Sequence, residues 1–386
     1  MRQKLKTLGE PQLASQNSYF RCESCFRCES LLFDPRPKTR REDLYDFDEE
    51  LEKFVNALSE PMVLVSGLRR TGKTSLILTG LNVSGAPYIY LDLRECARSY
   101  ADLYKLISRG FTEFAKRWSD LRDHFLRALS RLRGVSIAGI EISFSWSPRE
   151  RPLLTEILDA VNDFAERIGR RVVVVFDELQ SVRGAMGSVL QSALAHSYDF
   201  NKSVTLVLAG SEMGVLYNIL QNPESPLYGR AYIEVRTRKL SYSEAVDFLT
   251  KGFTEAGVSI GRDEIEEAAK ELDGVIGWLT YYGYLRSRGA GGLEQVVREA
   301  IALAKNELES FLKTRVSSGR YKAVLKLLAQ GVRGWGELKR ELERLEKKEI
   351  SDRVLHDILK ELKRHSIIDE SNEFTDPIYK RASLEL

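Results

Sequence analysis

The sequence predicts an α/β fold: a parallel-sheet core, followed by an all-α unit and a C-terminal winged helix-turn-helix. Three observations carry this reading. Residues 62–78 pass from an apolar β-pattern through a glycine-bounded loop into an apolar helix start. Residues 171–178, RVVVVFDE, form a continuous apolar run of the kind that suits a strand covered on both faces. Beyond Val235 the β-runs stop and helical spacing takes over.

Taken in order, residues 1–31 show no core pattern and are set aside as a leader expected to be disordered. Cys22, Cys25 and Cys28 stand there in C-x₂-C-x₂-C spacing, but a zinc site needs a fourth ligand that the neighbourhood does not offer. From Leu32, two prolines give an extended stretch. Asp46 or Asp48 is then expected to cap a helix with Leu51, Phe54, Val55 and Leu58 on one face.

The loop that follows the first strand reads Gly67-Leu68-Arg69-Arg70-Thr71-Gly72-Lys73-Thr74, then Ser75. This is G-x-x-x-x-G-K-[ST] in its strand–loop–helix setting. The glycines let successive backbone N–H groups point inward at a phosphate, and the helix presents its positive end to the same anion. Lys73 is placed to reach β- and γ-phosphates, and the Thr74 hydroxyl to hold Mg²⁺. A nucleoside triphosphate is therefore the expected ligand. Leu44 and Tyr45, just upstream, become candidates for packing over its base.

A second strand is expected at 87–92, a long helix over 100–132, a β-hairpin at 135–146 broken at Ala138-Gly139, and a helix over 153–168. The strand ending in Asp177 and Glu178 sets two acids where α/β sheets bind ligands. Asp177 is expected to hold Mg²⁺ and Glu178 to activate the attacking water. After the strand at 204–209, Ser211 either contacts the γ-phosphate or caps a helix; both readings stay open. Arg230, on a loop before the last core strand, is the candidate arginine finger.

Ser241 and Glu244 form a capping box that opens the all-α unit. Helices are expected at 262–272, 276–287 and 291–313, with a linker at 316–319. Three more helical patterns and a short turn at 369–372 complete the winged-helix order. The would-be recognition helix carries Arg353, His356, Lys360, Lys363 and Arg364, offset by Asp352, Asp357 and Glu361. That face does not choose between DNA and a protein as partner.

Composition limits the classes further. The chain has 386 residues, 43% hydrophobic and 30% charged, with a formal net charge of +2. Its length implies two or three cores, and its charge gives no global push toward nucleic acid. There is no apolar run long enough to span a bilayer and no secretory core near the N-terminus. No membrane partner and a cytoplasmic location are the expectations; oligomeric state stays open.

The ordered set GLRRTGKTS, VVVVFDELQ, LAGSEMG, SPLYGR and DGVIGWLTYYG resembles the archaeal ATPases, in the STAND branch of the AAA+ P-loop proteins. The resemblance runs from Leu32 to the end. It implies a five-strand AAA+ core at 32–238, a helical lid at 239–315 and a winged helix at 316–386. ATP and Mg²⁺ are the implied ligands. By position, Lys73 and Thr74 match the Walker A pair and Asp177 and Glu178 the Walker B pair. Ser211 matches the sensor-like residue and Arg230 the SPLYGR arginine, which the resemblance lets act either on a neighbour's γ-phosphate or within its own chain; the sequence does not choose, and action within its own chain is favoured. Ile276 stands where the family's G-x-P-G-W-L has proline, a departure that bears on lid contacts around Gly274 and Gly277.

The functional expectation is an ATP-binding, slowly hydrolysing switch whose nucleotide state repositions the winged helix. Two alternatives accompany it: a DNA-binding AAA+ protein akin to replication initiators or transposition ATPases, and a nucleotide-regulated protein scaffold.

Overall fold

The computed structural model describes residues 32–95 and 99–386; the leader and all four cysteines lie outside the described residues. Helix α1 (Asp48–Ala57) precedes strand β1 (Met62–Ser66), helix α2 (Lys73–Ser84) and strand β2 (Tyr88–Asp92). An insertion follows: α3 (Tyr100–Arg117), α4 (Arg122–Leu129), and an antiparallel hairpin of β3 (Val135–Ala138) and β4 (Glu141–Phe144). The core resumes with α5 (Leu154–Ile168), β5 (Val172–Asp177), α6 (Gly184–Phe200), β6 (Val204–Ala209), α7 (Met213–Gln221) and β7 (Ile233–Arg236).

The five core strands are all parallel, in the order β2-β5-β6-β1-β7. This is the five-strand core expected from the resemblance. The valine run of β5 has a direct cause. Val172, Val174 and Phe176 face an apolar layer built by α3 to α7, whereas Val173 and Val175 face the layer of α1 and α2. Alternate residues on a pleated strand point to opposite sides, so a sheet covered on both faces needs apolar residues at every position.

The remaining helices are α8 (Tyr242–Glu255), α9 (Arg262–Glu271), α10 (Ile276–Ser287) and α11 (Leu293–Lys313), then α12 (Ser318–Ala329), α13 (Trp335–Glu346), α14 (Asp352–Arg364) and α15 (Pro377–Leu384). One continuous apolar cluster joins all of them and takes in Leu32 and Phe33. Phe33 seats its ring on Gly252 of α8 and Gly283 of α10, where an added Cβ would come within 2.3 Å of ring atoms. The segment at Leu32 and Phe33 is thereby pinned to α8 and α10.

Four local expectations are corrected. The single helix over 100–132 is two helices, because Trp118 leaves helical geometry (φ −103, ψ 68) and the chain turns before α4. Neither Asp46 nor Asp48 caps α1; buried Phe47 takes the cap position at φ 63 while Asp46 pairs with Arg238 and Asp48 with Arg41. The linker shrinks, since α12 already begins at Ser318. The wing is a single bridge, Ile368 to Phe374, and is followed by α15, which the sequence reading missed. Its start is spelled by Asp376-Pro377: the aspartate accepts from the Ile378 N–H, and proline fits the first helical position.

Candidate nucleotide site

The loop between β1 and α2 is shaped by its two glycines. Gly67 has φ 149, and a Cβ there would stand 2.1 Å from the Thr237 hydroxyl oxygen. Gly72 sits at φ 85, a left-handed cap directly before Lys73. Thr71 closes the loop by donating to the Leu68 carbonyl at 2.7 Å. The loop so bent stands directly ahead of the positive end of α2.

Lys73 is buried, and its ammonium donates to the carbonyls of Gly67 (3.1 Å) and Leu68 (2.6 Å). Burial pulls it from the ordinary lysine value of 10.5 down to about 8, against the opposing charges of Glu178 and Asp177. Thr74 donates to Asp177 Oδ2 at 3.0 Å, and the Tyr90 hydroxyl binds the same oxygen. Burial pushes the Asp177 carboxyl up, while those two hydroxyls hold it down. Glu178 follows at φ 54 with its N–H on Asp177 Oδ1 at 2.9 Å. A left-handed non-glycine residue at a strand tip turns the second acid away from the first. Ser211 donates to Glu178 Oε2 at 3.0 Å; the cap of α7 is Glu212, so the capping alternative for Ser211 falls.

A cleft of about 700 Å³ opens over these groups. Its walls are the extended segment at Asp34 to Lys38, Leu44 and Tyr45, the loop, the tips of β5 and β6, and Gly277, Trp278 and Tyr281 of α10. Ser75 accepts from the Lys38 N–H at 3.1 Å. Tyr45 turns its hydroxyl to Asp247 (2.6 Å) and its ring to Phe248, leaving a flank on the cleft beside Leu44.

Arg69 and Arg70 have their charged ends turned away from the loop's centre. Arg69 pairs with Glu212 (3.1 Å) and Glu307 (3.4 Å); Arg70 pairs with Glu307 (2.6 Å) and lies 4.1 Å over the Trp278 ring. Glu307 on α11 also binds the Tyr379 hydroxyl of α15, and Glu212 also binds Arg183 (2.8 Å) and His365 (3.0 Å). The loop is thus tied to α11 and to the winged helix. Helix α10 touches the loop directly: the Gly277 N–H donates to the Arg70 carbonyl at 2.9 Å. Ile276 in place of proline does not disturb this bond, because it occupies the first helical position, where the N–H has no helical partner to lose.

Arg230 does not meet the site. α7 and its following loop return the chain to the N-terminal end of the sheet, and β7 starts beside Val63, at the start of β1. There Arg230 is bidentate to Asp199 (3.1 Å to Oδ1, 2.5 Å to Oδ2) at the end of α6. The sequence reading set it on the ligand-facing side because it ignored the return run of α7. An action on this chain's own phosphate loop is not supported. Tyr90, Gln180, Glu212 and Glu307 were missed. Tyr90 had a signal, its place two residues before Asp92 on a strand adjoining β5; the partners on α11 and α15 had none.

The residues present fit a nucleotide with its metal. A buried ammonium rests on loop carbonyls, a hydroxyl and a carboxylate stand side by side on Asp177, and the glycine cradle would be filled by any Cβ at Gly67. Among the described residues no cluster of three or more His, Cys, Asp or Glu could hold a metal by itself.

Residues 45–281 match the family model described as an ATPase domain predominantly from Archaea, and residues 315–382 match that of the MCM protein C-terminal winged helix-turn-helix domain. No curated protein matches the chain. A solved Walker-type ATPase of Pyrococcus abyssi is 31% identical with a TM-score of 0.77, the match covering 92% of this chain and 100% of that one. The Aeropyrum pernix ORC2 protein, solved with ADPNP and ADP, shares the fold at TM-score 0.59 and 15% identity, over 92% of this chain and 95% of that one. No described helix is long and apolar enough to cross a membrane. With a phosphate loop and acid pair on an AAA+-type sheet, and a family model spanning both, the chain belongs to the archaeal ATPase family.

Proposed function

We propose that this protein binds ATP–Mg²⁺ in the cleft between core and lid and hydrolyses it slowly, as a switch read out through the winged helix. The observation that carries this reading is the convergence of Lys73, Thr74, Asp177 and Glu178 on one loop mouth. Loop N–H groups and Lys73 bind the phosphates, and Thr74 and Asp177 would hold Mg²⁺, which would supply charge that neutralises the phosphates. Glu178 accepts the proton of the attacking water, and the lid at Gly277 and Trp278 excludes bulk solvent. Leu44 and Tyr45 border the base.

Glu178→Gln tests it. The variant should retain ATP–Mg²⁺ affinity and lose about 10²–10⁴-fold in turnover, whereas Asp177→Asn should weaken the Mg²⁺ dependence of binding. Equal effects of the two changes on binding alone would contradict these separate roles. The switch reading draws support from the ties of Arg69 and Arg70 to Glu307 and Glu212, which connect the loop to α11, α15 and α14.

A second reading, DNA engagement by the winged helix, is favoured by the exposed Arg353, His356 and Lys360 on α14, tempered by Asp357. Duplex affinity that falls steeply with salt would support it. A protein partner on the same face would show no such slope.

A further inference from the structure

Gln180 has no part in the reading above, yet it is built into the site. It lies two residues beyond Glu178, 4% exposed, and it borders the cleft. Its amide nitrogen donates to Glu178 Oε2 and, at 3.3 Å, to the Ser211 hydroxyl. Ser211 in turn donates to the same Oε2 at 3.0 Å. The proton count closes: two amide hydrogens and one hydroxyl hydrogen serve three bonds in a triangle. Both donors converge on Oε2, which leaves the lone pairs of Oε1 for the cleft.

The other end of the amide is telling. Gln180 Oε1 is buried without a partner, pressed against Gly210, where a Cβ would stand 2.1 Å from it. A buried carbonyl left unpaired is costly, and turning the amide over would place that carbonyl against the Glu178 carboxylate instead. The orientation that leaves Oε1 orphaned is the one that serves Glu178. Gly210 carries no side chain at the point where any other residue would push the amide away.

We infer that Gln180 is a positioning residue for ATP hydrolysis, holding the Glu178 carboxylate through Oε2, jointly with Ser211, so that Oε1 faces the attacking water. This rests on Glu178 as the general base. It gives Ser211 a role toward the carboxylate, distinct from contact with phosphate.

The test uses the full chain and ATP–Mg²⁺. Gln180→Met keeps the length and removes both donors. Expected is a ~10- to 100-fold fall in kcat with KM and ATP affinity within about twofold, as for a misaimed group. Gly210→Ala, which displaces the amide without altering it, should give the same split, and Ser211→Thr should retain the kcat that Ser211→Ala loses. In the Glu178→Gln background, Gln180→Met should cost no more than about twofold. An unchanged kcat in Gln180→Met, with Glu178→Gln inactive, would overturn the positioning role alone. Equal losses with and without Glu178 would also overturn it. Full turnover by Glu178→Gln would instead overturn the base assignment, and this proposal with it.

Discussion

Lys73 offers the sharpest quantitative expectation. Its ammonium is buried among loop carbonyls and sits near a value of about 8, against an ordinary 10.5. That displacement amounts to about 3 kcal/mol between the charged and neutral forms. Phosphate oxygens at the loop restore a charged partner, so a bound nucleotide should hold the proton that the free protein is about to release. At pH 8 about half a proton should be taken up per ATP bound, and affinity should weaken about tenfold per pH unit above that. The folding balance has the opposite sense. Without ligand the folded chain loses this proton above pH 8 while the unfolded chain keeps it toward 10.5, so this group makes the fold more stable as pH rises across that window. The assay is titration calorimetry of the parent protein in buffers of different ionisation enthalpy, at pH 7, 8 and 9. Proton uptake that grows from pH 7 through pH 8 is expected. No uptake at pH 8, or ATP affinity flat from pH 7 to pH 9, would refute the reasoning.

Three further expectations follow from the geometry. Lys73→Ala should abolish measurable ATP binding by calorimetry while circular dichroism and cooperative melting persist, since the side chain bonds only to loop carbonyls. Gly277→Ala would set a Cβ 2.7 Å from Arg70 Cβ and 3.1 Å from its carbonyl oxygen; a melting experiment should register a loss of about 1–3 kcal/mol, and a rise in Tm would contradict the packed lid. Arg230→Ala should leave ATP affinity and turnover of dilute protein unchanged, because the side chain is held by Asp199 at the far end of the sheet. Lost turnover at high dilution would contradict that placement.

The sheet and its ligand-facing acids were legible because their signals are local. The valines of β5 report a strand covered twice, and Gly67, Lys73 and Thr74 report a loop whose chemistry fits within nine residues. Ser241 and Glu244 announced α8 in the same way, and the box is present. Where the outcome turned on distant partners, the reading failed. Asp46 and Asp48 looked like caps, but Arg238 and Arg41 claimed them and Phe47 was buried instead. Arg69 and Arg70 entered the reading only as members of the loop, and nothing local announced that their side chains pair with Glu307, 237 residues beyond Arg70. Arg230 was misplaced because loop order alone does not say at which end of the sheet a loop emerges.

Residues 211, 212 and 213 face two ways. Ser211 holds the Glu178 carboxylate (3.0 Å), Glu212 accepts from His365 (3.0 Å), and the Met213 N–H donates to the Ser366 hydroxyl (3.0 Å). Extended chain advances about 3.3 Å per residue, so the wing's seat lies within roughly two such steps of the serine that holds the Glu178 carboxylate. Gly214 tightens the seat further, since a Cβ there would lie 2.6 Å from the Arg364 Cα. A wing that lifts must strip the partners from Glu212 and Met213, the two residues that follow Ser211, before it moves at all. Such a short tether has little slack, so under the switch proposed above a lifting wing would also disturb the bond from Ser211 to Glu178.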